Sequence, residues 1–179
     1  MKALLLGLVA MTVLAAPAQA GFMSAYTELD LDQCLVLEAD DFQVRWSCPG
    51  YKGYPLLVVE ADLRFMLAYG FGADQQQLQS LPQFNYLGEK LEWRLSNDLG
   101  RWLPVASIVR YFTAGGTPED PEGQTLVVTQ LSEGRVCHIA YVDALANADA
   151  NELARQAADK AGNFDCEKDE VARLGKVSP

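Results

Sequence analysis

Two hydrophobic rhythms run along the chain, a two-residue one over most of its length and a helical one near its end. In residues 42–47 (Phe-Gln-Val-Arg-Trp-Ser) apolar and polar side chains alternate, the pattern of a half-buried strand. Residues 56–60 and 63–69 follow as strands. In the second, Leu63, Phe65, Leu67 and Tyr69 fall on one face and Arg64, Met66 and Ala68 on the other. Leu91, Trp93 and Leu95 alternate with Glu92 and Arg94 in a further strand. Residues 102–112 form the next, with Pro104 placing its start at a sheet edge or bulge. Residues 27–37 read as an extended leading segment, with Asp30 and Asp32 alternating with Leu29 and Leu31. The clearest hairpin joins residues 125–131 to 136–142. A two-residue turn at Glu133-Gly134 pairs Leu131 with Val136, Thr129 with His138 and Val128 with Ile139. That register puts Leu126, Val128, Ile139 and Tyr141 on the face of Cys137, which is expected to be the core.

Turn formers fill residues 49–55 (Pro-Gly-Tyr-Lys-Gly-Tyr-Pro). Residues 70–88, with Gln75, Gln76 and Gln77, predict a long loop holding a short helical turn. Residues 113–123 carry three glycines and two prolines and predict a surface loop. Then the period changes. Ala150, Leu153, Ala154, Ala157, Ala158 and Ala161 form one helical stripe. Asp149 with Glu152 has the spacing of a capping box, and Gly162 supplies a stop. From Glu167 onward the chain is charged and poor in large apolar residues. Strands in series before one helix predict an α+β fold. The expected form is a mostly antiparallel, twisted sheet or open barrel of about seven to eight strands carrying one C-terminal helix.

The first twenty of the 179 residues fit neither rhythm. A positive Met1-Lys2, an apolar run over 3–15 and Ala18-Gln19-Ala20 compose a signal peptide, with Gly21 as the new N-terminus. The expected organisation is a signal at 1–20, one globular domain at 21–166 and a flexible tail at 167–179. No later run approaches the roughly 20 apolar residues of a membrane span. The mature chain is therefore expected in the periplasm or outside the cell, with no membrane insertion after cleavage.

Export decides how the four cysteines read. In an oxidising compartment Cys34, Cys48, Cys137 and Cys166 favour two disulfides, and three pairings are possible. Proximity favours Cys34–Cys48 and Cys137–Cys166, each loop closure stabilising by roughly 3 kcal/mol. The spacing lacks the close pair that zinc sites use, and one histidine excludes multi-histidine sites, so neither metal nor cofactor is expected. Lys+Arg 14 against Asp+Glu 24 gives a formal charge of −10, one unit more negative once Lys2 leaves. A surface that acidic repels nucleic acid and suits a basic partner.

Candidate chemistry is sparse. The chain has no nucleophile elbow, phosphate-binding loop, dinucleotide fingerprint or zinc-protease motif. His138 is the only imidazole base, drawn against Thr129 or Asp143. Glu60 and Glu92 are the candidate carboxylate pair for glycoside chemistry. Arg64, Arg94 and Arg110 at similar strand positions make a solvated face of cross-strand ion pairs with Glu60, Asp62 and Glu92 the simpler reading. For binding, Tyr51, Lys52 and Tyr54 in the glycine-framed loop, together with Trp102, offer amphipathic aromatic surface. The same tyrosines would equally cover a core edge.

The segments Trp46-Ser47-Cys48-Pro49-Gly50-Tyr51-Lys52-Gly53-Tyr54-Pro55, Glu60-Ala61-Asp62-Leu63-Arg64, Leu91-Glu92-Trp93-Arg94-Leu95 and Cys137-His138-Ile139-Ala140-Tyr141-Val142-Asp143-Ala144 resemble a family of exported bacterial proteins of unknown function. The likeness runs from about Tyr26 to Cys166 and implies export and a single domain, with no activity to carry over. In size and architecture alone the chain is similar to periplasmic lysozyme inhibitors. The expected function is a non-enzymatic periplasmic binding or inhibitor-like module, its partner a basic envelope protein or a cell-wall component. The alternative is an envelope hydrolase using His138 or the Glu60/Glu92 pair.

Overall fold

Side-chain alternation divides the strands between two sheets rather than one. The computed structural model describes residues 21–117, 120–132 and 135–177. The signal peptide expected at residues 1–20 and the turn expected at Glu133-Gly134 lie outside these. The first sheet has the order β1-β6-β7-β8-β9-β10, built from β1 (Phe22–Glu28), β6 (Asn85–Ser96), β7 (Leu103–Thr117), β8 (Asp120–Ser132), β9 (Arg135–Asp143) and β10 (Ala172–Leu174). The second has the order β2-β3-β4-β5, from β2 (Leu35–Ala39), β3 (Gln43–Pro49), β4 (Pro55–Ala61) and β5 (Arg64–Tyr69). The α-helix, α1 (Ala150–Ala158), covers the outer face of the larger sheet. This is the predicted α+β class, with its strands in two open sheets.

The main core lies between the sheets. Val58, Leu67 and Tyr69 of the smaller sheet meet Leu91, Trp93, Leu95, Val109 and Val127 of the larger one. Trp93 is fully buried and donates its indole N–H to Thr27 Oγ1 at 2.9 Å, satisfying the one polar group it brings inside. A second core sits under the helix, where Ile108, Leu126, Val128 and Ile139 meet Ala150, Ala154 and Ala158. Both disulfides pair as proximity predicts. Cys34–Cys48 ties the start of β2 to β3, and Cys137–Cys166 ties β9 to the chain beyond the helix.

The hairpin register holds at Leu131–Val136 and Thr129–His138, then slips. Val128 pairs with Ala140, leaving Ile139 as the extra residue of a bulge. Ile139 stays under the helix, and Tyr141 moves to the inter-sheet side. The loop expected over 113–123 is mostly strand, because β7 and β8 continue their ladder through irregular pairing at Ala114 and Thr117. Part of the expected tail is also sheet: Ala172, Arg173 and Leu174 pair in parallel with Ala140, Tyr141 and Val142. At the helix, Asp149 makes no side-chain cap and Asp159, not Gly162, is the C-cap.

Candidate functional site

The glycine-framed loop folds inward. Gly50 lies so close to the core that a Cβ would stand 2.2 Å from the Tyr54 carbonyl oxygen and 2.7 Å from the Trp93 ring. Tyr54 packs edge-on against Trp93, with ring centres 5.7 Å apart, and desolvation raises its pKa. Tyr51 also packs against the main core, and the Lys52 ammonium stands 5.2 Å from its ring centre. Trp102 belongs to another neighbourhood, beside Gly21. The four binding candidates therefore do not form one surface. Tyr51 and Tyr54 cover a core edge, and only Tyr54 also borders the cleft described below.

The catalytic candidates are separated as well. Glu60 lies in β4 of the smaller sheet, where it accepts from the Leu63 N–H at 3.1 Å. Glu92 lies in β6 of the larger sheet, on the face turned toward α1, because its neighbours Leu91 and Trp93 point into the inter-sheet core. It is a partner of the helix: Arg155 donates to it at 2.7 and 3.3 Å, and Ser24 Oγ donates at 2.5 Å. Arg94 makes the companion bridge to Asp159, at 2.5 and 2.9 Å. For Glu92 and Arg94 the expected solvated face of cross-strand pairs is thus a sheet-to-helix clamp, whereas Arg64 does pair with the exposed Asp62. Arg110, in β7, donates to Gln124 instead of a carboxylate, at 2.7 Å.

His138 is buried between the sheets, its Nδ1 2.9 Å from the Tyr141 hydroxyl. Desolvation lowers its pKa to about 4, so the ring is neutral near pH 7. Asp143 is not its partner; its carboxylate accepts from the Leu145 and Ala146 N–H groups at 2.9 Å each.

The glutamine-rich loop gives the sequence its largest surprise. Leaving β5, the chain lays Ala73 over Leu57, Val59 and Ala68 on the outer face of the smaller sheet. Gln76 then serves the free margin of β5. Its Oε1 accepts from the Tyr69 N–H at 2.9 Å and its Nε2 donates to the Tyr69 carbonyl at 2.5 Å. A side-chain amide has the donor and acceptor of a peptide group, so Gln76 imitates one residue of a neighbouring strand. Ser80 and Asn85 do the same at Phe65, and Gln79 accepts the His138 N–H of β9 at 2.7 Å. No local signal reveals the Gln79 cap, since Gln79 and His138 are 59 positions apart.

Between this loop, the turn from β6 to β7 and the end of the β8–β9 hairpin lies an open cleft of about 1290 Å³. Tyr54, Tyr69, Gln76 and Gln79 line one side, Asp98 and Arg101 another, and the Cys137–Cys166 bond a third. Two large apolar side chains stand on its borders, Phe71 at 92% exposure and Leu99 at 78%. Sequence periodicity gave neither residue a role, because both sit in turns. No helix among the described residues is long and apolar enough to cross a membrane. No protein family, curated protein or solved structure matches the chain.

Proposed function

We propose that the chain is an exported, non-enzymatic binding protein that holds a basic protein of the cell envelope at the cleft between the Gln75–Gln79 loop and the β6–β7 turn. The observation that carries this reading is the pair Phe71 and Leu99, the two most exposed of the large apolar side chains on the cleft's borders. Apolar groups held in water beside a polar cleft gain most when a partner covers them. The walls are pre-organised by Gln76, Gln79 and the Cys137–Cys166 bond, which lowers the ordering cost of association. The net charge of −10 supports a basic partner through steering, with a cell-wall component as the other outcome. The hydrolase alternative loses support because Glu60 and Glu92 stand on different sheets and His138 is buried.

Affinity capture from a periplasmic extract tests the proposal, using the disulfide-bonded chain from Gly21 and a Phe71→Ser/Leu99→Ser variant as bait. The expected result is a basic protein retained by the parent chain and lost from the variant, with equal melting temperatures. Retention of the same component by both baits, or of nothing by either, contradicts it.

A further inference from the structure

Marginal strands present unpaired N–H and C=O groups, and folds usually blunt them. This chain does so on β5 with Gln76, Ser80 and Asn85, and on β9 with Gln79 and the parallel strand β10. Two longer margins remain, β1 and β2, and that of β2 is the more exposed. Among the described residues its only strand neighbour is β3, and no side chain caps its backbone. All five residues are exposed, with Leu35 at 67%, Val36 at 52% and Leu37 at 53%. Neither lysine nor proline interrupts Leu-Val-Leu-Glu-Ala. The one blunting device is the bulge between Val36 and Glu38, which bends the strand and leaves its apolar side chains in water. The Cys34–Cys48 bond fastens the start of β2 to the sheet, so the margin is held ready rather than frayed.

Charge decides what can pair there. Asp30 and Asp32 precede the strand and Asp40 and Asp41 follow it, all exposed, and residues 29–44 contain no lysine or arginine. Glu38 is the one acid of the group with a cationic partner, Arg45 at 3.6 Å. A second copy docking antiparallel would set Asp30 and Asp32 against Asp40 and Asp41. Docking in parallel would set each pair against itself, so both arrangements oppose like charges. An extended segment with cations at its ends has the opposite outcome at both.

We propose that β2 is an acceptor edge for strand addition by another protein, taking an extended apolar segment flanked by lysine or arginine. Main-chain bonds to the β2 margin would give affinity, contacts with Leu35, Val36 and Leu37 would bury apolar surface, and the four aspartates would select basic flanks. No residue of β2 borders the cleft, so this surface can be tested whatever the cleft binds.

The probe is a synthetic peptide of alternating valine and threonine with two lysines at each end. Its comparators carry glutamates at the ends, or N-methyl groups on alternate residues. Binding to the disulfide-bonded chain from Gly21 is read by calorimetry and by amide hydrogen exchange. The lysine-ended peptide should bind and slow exchange in residues 35–39, and more salt should weaken it. The glutamate-ended peptide should bind about tenfold or more weakly, and N-methylation should abolish binding by removing donors. A Leu35→Lys/Leu37→Lys variant should keep its melting temperature and lose the peptide. The proposal is overturned if the lysine-ended peptide does not bind, if all three bind alike, or if protection falls outside residues 35–39. It is equally overturned if the chain alone is a dimer with residues 35–39 already protected, since the occupant is then a second copy.

Discussion

At the scale of single residues, position decides what a polar group does. His138 could serve as a base only if it met water and a substrate; instead it sits between the sheets against Tyr141. Its folded-state pKa of about 4 lies below the usual imidazole value of 6.5. As pH falls below 6.5 the unfolded chain therefore takes up a proton before the folded one does. The stability linked to this group is complete above pH 6.5 and is lost as pH falls toward 4, by up to ~3 kcal/mol at about 1.4 kcal/mol per unit. Melting curves from pH 7 to 4 should thus fall more steeply for the parent chain than for a His138→Leu variant. Parallel pH profiles would contradict the burial account. Thr129 opposite His138 was legible in the turn spacing, and the slip at Ile139 was not. A bulge changes which face every later side chain takes without changing residue types, so Tyr141 was placed on the wrong side.

At the scale of elements, α1 is held by unusual means. Its buried face is alanine at 150, 154 and 158, which lets the helix approach the sheet closely but buries little apolar area. Two Arg–carboxylate bridges compensate, Arg155 to Glu92 and Arg94 to Asp159, with the Cys137–Cys166 bond just beyond the helix. The Glu92 side chain is buried while Arg155 remains partly exposed, so solvent screens the pair incompletely. Urea unfolding of Glu92→Gln, Arg155→Met and the double variant should give a coupling of about 1–3 kcal/mol. Additive losses would show that the Glu92–Arg155 bridge adds nothing to what alanine packing, the Arg94–Asp159 bridge and the disulfide supply. The helix itself was legible from its stripe of alanines. Its partners were not, because Glu92 and Arg94 alternate with core residues whether they face water or a helix. Only the placement of α1 separates the two cases.

For the whole molecule, the arrangement is helix, six-stranded sheet and four-stranded sheet, wrapped on one side by the Gln75–Gln79 loop. Strand alternation and cysteine proximity made the α+β class and both disulfides readable, since both signals are local or nearly local, but not the division into two sheets. The cleft was not readable. It is assembled from residues near 54, 69–79, 96–101, 103–105, 131–132, 136–137 and 166–167, and Tyr54 is the only binding candidate from the sequence among them. The two sheets and the second disulfide bring those segments together. On this account the loop is a fixed wall whose Gln76 and Gln79 side chains are already engaged, and recognition falls to Phe71, Leu99 and the remaining polar lining. The most direct test is amide hydrogen exchange on the disulfide-bonded chain from Gly21, with and without periplasmic extract. Slowed exchange in residues 70–77 and 97–101, abolished by Phe71→Ser/Leu99→Ser, is the predicted result. Unchanged exchange in both segments, with or without protection elsewhere, would contradict the cleft as the binding site.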